Sequence, residues 1–215
     1  MFEQLKSASV SISIFVIALV VFFLPGNEWL QFDTSMACWQ QPLQLFSCHI
    51  LHWSTNHLFW DLAMFLITAV ICERISRTSF LGVLILSAIA IPPLTGMYHI
   101  DVDSYRGLSG IDTALFAMAA MRLGIEAAKE KEKLGSLIYA ALLSGMFFKI
   151  GHELITGGTF FVNSDNFIPV PMAHLVGASV GLIAAWTDEL IVAIKKSAQP
   201  HSIKPDHGLR TEPMQ

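Results

Sequence analysis

Apolar residues fall in six blocks along this chain, at residues 8–24, 57–73, 80–98, 107–121, 134–155 and 172–192. Most approach the ~20 residues that a helix needs to cross a ~30 Å hydrocarbon core. The pattern predicts an all-α membrane protein, a bundle of six transmembrane helices within residues 1–196. A polar, proline-containing tail, 197–215, follows and is expected to be disordered. The first block reads as an anchored helix and not as a signal peptide. Lys6 is balanced by Glu3 ahead of it, and Pro25-Gly26-Asn27-Glu28 behind it offers no small-residue cleavage site. Pro92-Pro93 should kink the third helix or end it early. From Gly107 to Arg122 the fourth block rises only ~22 Å at 1.5 Å per residue. With Arg122 at one interface, the head of this helix lies inside the membrane, beneath a polar cavity. Residues 122–133 read as a solvated helical extension.

Composition narrows the class. The chain has 215 residues, 53% hydrophobic and 14% charged, and a mean hydropathy of +0.56. That is too apolar and too sparsely charged for an ordinary soluble domain, and no basic surface for nucleic acid is visible. The net charge of −4 matters less than where the cations lie. Lys6, Arg74, Arg77, Arg122, Lys129, Lys131, Lys133, Lys195, Lys196, Lys204 and Arg210 all fall on one side of the predicted bundle. The opposite loops hold only Arg106. Both termini are therefore expected in the cytoplasm. The long first outer loop, residues 25–56, carries Trp29, Trp39 and Phe46 and should lie in the interface. It also holds Cys38 and Cys48, which would face the oxidising side of a bacterial inner membrane. A disulfide and two free buried thiols are both open readings; Cys72 reads as packed.

The candidate chemistry is concentrated at the outer ends of the helices. In Tyr105-Arg106-Gly107-Leu108-Ser109-Gly110, a serine stands between glycines at a helix head. Free N–H groups and a partial positive charge there suit a developing oxyanion beside a nucleophilic hydroxyl. Alone, the motif also suits small-residue helix packing. His174 heads the sixth helix at the same expected depth, followed by Gly177 and Gly181, a GxxxG that lets helix six approach helix four. Helix two opens with His49, His52, Asn56, His57 and Asp61; His57 and Asp61 share one face, and a carboxylate inside a membrane helix is costly. Asp112 faces the same cavity or a neighbouring helix. Lys149, His152 and Glu153 arrive at that layer on helix five, where Lys149 could pair with Glu153 or with Asp112. His152-Glu153 begins a zinc-protease signature whose second histidine is missing, and no metal is expected. Glu73, Arg74 and Arg77 read as an interfacial stop. The outer loop 157–171 has the glycines and prolines of a mobile lid.

Taken together, Gly107-x-Ser109-Gly110, Ala173-His174-x-x-Gly177-x-x-x-Gly181, and His52…His57-x-x-x-Asp61 followed by Glu73 resemble the rhomboid intramembrane serine proteases across all six helices. Trp53-Ser54, His57-Leu58-Phe59-Trp60-Asp61-Leu62 and Tyr105-Arg106-Gly107-Leu108-Ser109-Gly110-Ile111-Asp112 look closer to the rhombosortase branch, which trims C-terminal Gly-Gly membrane anchors from exported bacterial proteins. The resemblance implies a Ser109–His174 dyad. It also implies an oxyanion hole from His57 and the N–H groups around Gly107 and Leu108, with His52 nearby. Three positions depart from the family pattern: Asp61 for the usual asparagine, Leu43-Gln44 for Trp-Arg, and Thr113 for the tyrosine one turn after the serine. The expectation is an inner-membrane serine endopeptidase without cofactor, acting on membrane-anchored protein substrates near the outer end of their membrane segment. An inactive rhomboid-like binder keeps the same fold, and a haem- or quinone-binding membrane protein would use His57, His152 and His174 as ligands.

Overall fold

The computed structural model describes residues 8–99, 101–159 and 169–198. It is mostly helical, with six long helices: α1 (Ser9–Phe22), α2 (Thr55–Ile75), α3 (Arg77–Tyr98), α4 (Ser109–Lys129), α5 (Lys133–Thr156) and α6 (Pro171–Ala198). Four of the apolar blocks sit within one of them, and those at 8–24 and 107–121 overrun α1 and the head of α4 by one or two residues. The tail beyond residue 198 and residues 160–168 of the expected lid lie outside the described residues. By length and composition, α3, α5 and α6 are each apolar enough to cross a membrane, and α1 is apolar but shorter. Helices α2 and α4 dilute their apolar character with the ionisable residues that make up the site, among them His57, Asp61 and Asp112. The six-span expectation therefore rests on more than hydropathy.

Local signals explain the helix boundaries. Ser54 caps α2 by accepting from the His57 N–H. Ser76 is at once the last residue outside α2 and the cap of α3, accepting from the Ser79 N–H. One extended residue thus turns the chain between two membrane-length helices. Helix α3 does not end at Pro92-Pro93; both lie inside it, and it continues to Tyr98. A buried helix tolerates the two missing N–H groups when its neighbours and local adjustments compensate for them. Helix α4 runs well past Met121, so most of residues 122–133 is its charged continuation. Arg122 bonds Asp188 of α6 at 3.0 Å, tying the polar ends together.

Helix α4 is the axis of the bundle. Ala114, Leu115, Ala117 and Met118 are fully buried, and it packs on α2, α3, α5 and α6. Its contact with α6 is backbone on backbone. A Cβ added at Gly177 would stand 2.0 Å from the Gly110 carbonyl oxygen, and one at Gly181 would stand 2.0 Å from that of Ala114. Both contact pairs advance in the same direction along the two helices, so α4 and α6 run parallel and their first turns lie side by side.

Glu73 differs from its reading as an interfacial stop. It is 3% exposed, and its carboxylate accepts from the Ser11 hydroxyl (2.7 Å), the Ser11 N–H (2.9 Å) and the Val10 N–H (3.2 Å). These are orphan donors of the first turn of α1, so a side chain from α2 supplies the cap that α1 lacks. Arg77 approaches the same carboxylate at 3.8 Å.

The first outer loop is organised by short turns and by a two-stranded antiparallel ribbon, β1 (Phe32–Asp33) with β2 (Ser104–Tyr105), pairing Phe32 with Tyr105 and Asp33 with Ser104. Gln41 stitches the loop through the Asp33 N–H and the Asp33 and Met36 carbonyls. Trp29 and Trp39 are exposed, Trp39 by 80%. The cysteines Cys38, Cys48 and Cys72 are free thiols.

Candidate active site

The segment entering α4 is held from three directions. Arg106 donates twice to Gln31 Oε1, at 2.9 and 2.6 Å, and lies 4.3 Å over the Trp53 ring. The Gly107 N–H donates to the Cys48 carbonyl at 3.1 Å, while its own carbonyl lies 3.2 Å from His49 Nδ1 and accepts from the Tyr105 hydroxyl at 3.3 Å. Gly107 has φ +124°, and a Cβ there would meet the His57 ring at 3.0 Å and Asp61 Oδ2 at 3.3 Å. Only glycine satisfies both the backbone angle and the close approach. In the sequence His49 was one of the polar group ahead of helix two, and Cys48 a thiol of the first loop. Their part in holding Gly107 depends on a fold-back of the first loop that no spacing announces.

Asp61 sits at the centre of the cluster beneath this turn. Its Oδ2 accepts from the Leu108 N–H at 3.0 Å and lies 3.2 Å from both His52 Nε2 and His57 Nε2. The two imidazoles meet edge to face, 5.2 Å between centroids. All three side chains are buried. The structure thus brings His52, His57, Asp61, Gly107 and Leu108 together. It also gives the Leu108 N–H, which the sequence left free for an oxyanion, to a carboxylate. The first backbone bond at the head of α4 is Asp112 N–H to Leu108 O, at 2.9 Å. Among the described residues the N–H groups of Ser109, Gly110 and Ile111 are therefore the open donors of this helix end.

Ser109 and His174 line one cavity of about 830 Å³, along with His57, Asp112, Lys149 and Glu153. The glycine contacts between α4 and α6 set their separation. Among the described residues no hydrogen bond joins Ser109 to His174. His174 is instead engaged from the other side: its Nδ1 lies 2.7 Å from Glu153 Oε2. Lys149 Nζ is 2.7 Å from Glu153 Oε1 and 3.5 Å from His174 Nδ1. Of the two partners the sequence allowed Lys149, the structure selects Glu153, one turn along α5. Asp112 is buried in the cavity wall, and its Oδ1 has no hydrogen-bond partner among the described residues. His152 stands apart from the cavity, 3.4 Å from the Thr156 hydroxyl. Glu153 carried a signal in the sequence, an i+4 carboxylate after Lys149 at the depth of the site, but nothing tied it to His174.

Chemically, the arrangement offers a hydroxyl at a helix N-terminus, an imidazole fixed through one ring nitrogen, and open N–H donors, all around one half-open cavity. Comparison with known families matches residues 39–189 to a model described as the Rhomboid domain. The match runs from within the first outer loop into α6 and includes His52, His57, Asp61, Gly107, Leu108, Ser109, Glu153 and His174. No curated protein matches the chain.

Proposed function

The chain belongs to the rhomboid family, an integral-membrane family of intramembrane serine proteases that also has inactive members, and on that footing we propose that it is a working intramembrane serine endopeptidase. Six helices span the bilayer with both termini in the cytoplasm, consistent with the one-sided distribution of Lys and Arg. In this reading Ser109 Oγ attacks the scissile carbonyl of a membrane-anchored protein while His174 takes the hydroxyl proton. The tetrahedral oxyanion is met by the Ser109 N–H, with His57, held on Asp61, beside it. His174 then returns the proton to the leaving amine, and water enters by the same route to hydrolyse the acyl-enzyme. Asp61 holds the Leu108 N–H and stands against both histidines as a scaffold for the donors.

The observation that carries the reading is the shared cavity at the heads of two parallel helices, locked together through Gly177 and Gly181. The missing hydrogen bond between Ser109 and His174 does not count against it, since catalytic contacts in substrate-free sites are often long and tighten on binding. The rhombosortase-like details around Trp53, Asp61 and Tyr105–Asp112 support an exported substrate with a C-terminal Gly-Gly anchor, in a bacterial inner membrane. One observation favours a second reading, an inactive binder that keeps the groove: Asp61 already occupies the Leu108 N–H, one of the donors at the head of α4.

Labelling separates the two. The detergent-purified protein should react with a fluorescent fluorophosphonate, and Ser109→Ala should remove the label. Because the members of such a dyad act as a unit, Ser109→Ala, His174→Ala and the double variant should lose nearly equal activity on a membrane-anchored test substrate. Undiminished cleavage by Ser109→Ala would end the proposal.

A further inference from the structure

Family resemblance implies a two-residue dyad, but the geometry around His174 has a third member. The Glu153 carboxylate is 2% exposed and is reached by two groups: Lys149 Nζ at one oxygen and His174 Nδ1 at the other, each at 2.7 Å. A carboxylate in an ion pair with lysine can only accept hydrogen bonds. The proton of neutral His174 is therefore on Nδ1, and Nε2 keeps the lone pair that a base requires. We propose that Glu153 is the positioning residue of a Ser109–His174–Glu153 triad, and that Lys149 fixes which face Glu153 presents to the imidazole. This rests on the dyad reading above and extends it.

Lys149 gives the idea a specific consequence. Its ammonium lies 3.5 Å from His174 Nδ1, two donors brought this close only because Glu153 accepts from both. In Glu153→Gln the shape is retained, but the lysine claims the amide oxygen and turns the NH₂ towards Nδ1. His174 must then accept at Nδ1 and carry its proton on Nε2, the wrong tautomer for a base. In serine hydrolases a carboxylate-to-amide change of this kind lowers turnover by about 10⁴ through the same tautomer switch. Removing the lysine as well lets the amide rotate and accept again. A purely structural Glu153 predicts the opposite order, because the double variant would lose more packing than the single one.

The test uses the full chain in detergent with a fluorescent fluorophosphonate as probe. For Glu153→Gln the maximal labelling rate should fall roughly 10²–10⁴-fold, with the probe concentration at half-maximal rate nearly unchanged. Lys149→Met/Glu153→Gln should recover about tenfold or more of that loss, and Glu153→Asp should sit between single variant and wild type. A Glu153→Gln protein that labels within about threefold of wild type overturns the proposal, as does a double variant that is folded but no faster. Nitrogen-15 spectra of the histidines, with His174→Asn to assign the signal, read the tautomer without any chemistry. Wild type should show His174 protonated at Nδ1 and Glu153→Gln at Nε2, and an Nε2-protonated wild type refutes the triad even if Ser109 proves inert. Loss of labelling in every form alongside the expected tautomers would instead strike the protease reading alone.

Discussion

Asp61 concentrates the tension of this site in one side chain. A carboxylate near an oxyanion would repel the charge it should help to hold, yet Oδ2 here accepts from the Leu108 N–H and stands 3.2 Å from two imidazoles. In the proposed reaction its work is therefore to hold the donors and not to be one. Replacing Asp61 with Asn keeps the shape and an acceptor for Leu108, but turns a charge-assisted bond into a neutral one. The difference is about 1 kcal/mol, visible as a lower unfolding temperature in detergent, with a rate lowered roughly tenfold. A variant at or above the wild-type rate would mean that position 61 serves the oxyanion as a donor. Gly107 makes a complementary case: its φ of +124° and the nearby His57 ring leave no space for any side chain.

Two contacts set how the helices stand. The α4–α6 seam is closed by glycines whose hypothetical Cβ atoms would overlap carbonyl oxygens at 2.0 Å, a distance that no rotamer change relieves. Gly181→Ala must push α6 away from α4, and overpacking of this kind costs about 1–3 kcal/mol. It should also lower the labelling rate of Ser109 more than its reagent affinity, because a small displacement at a reacting pair is expensive. An unchanged rate would show that the seam does not set the Ser109–His174 distance. The second contact is Glu73 at the head of α1. Glu73→Ala strands the Ser11 and Val10 N–H groups, at about 1–3 kcal/mol for the orphaned donors. Limited proteolysis should then cut near α1 at lower temperature than in wild type, while the site keeps its labelling rate.

For the whole molecule, the charge distribution and the aromatic first loop make one prediction about orientation. In the proposed orientation Trp39, at the exposed surface of that loop, lies outside, and Glu130, just beyond α4, lies in the cytoplasm. In a Cys-free background of inverted and right-side-out vesicles, Trp39→Cys should take a membrane-impermeant maleimide only from the outer face. Glu130→Cys should take it only from the inner face. The reverse pattern would invert the bundle and carry the cavity to the cytoplasmic side.

Some of this protein is determined by its sequence alone. Blocks of apolar residues long enough for a bilayer must become helices, since lipid offers no partner for backbone polar groups. The glycines at 107, 177 and 181, the serine at a helix head and the histidine–aspartate spacing on α2 are equally local. They mark helix ends and faces whatever lies across from them. What the tertiary structure decided are the pairings between segments distant in sequence. Lys149 had two acidic candidates, and only the packing of α5 against α6 put Glu153 beside it and beside His174. Glu73 resembled an interfacial stop until α1 came to lie with its unsatisfied N–H groups against it. Pro92-Pro93 was expected to kink a helix or end it early, and α3 continues through both to Tyr98. Asp61 was a costly charge until Leu108 and two histidines converged on a single oxygen. Periodicity reports which way a side chain points from its own helix. A hydrogen bond needs two helices at the right height and rotation, and those are fixed by close packing along α4 and not by any one stretch of sequence.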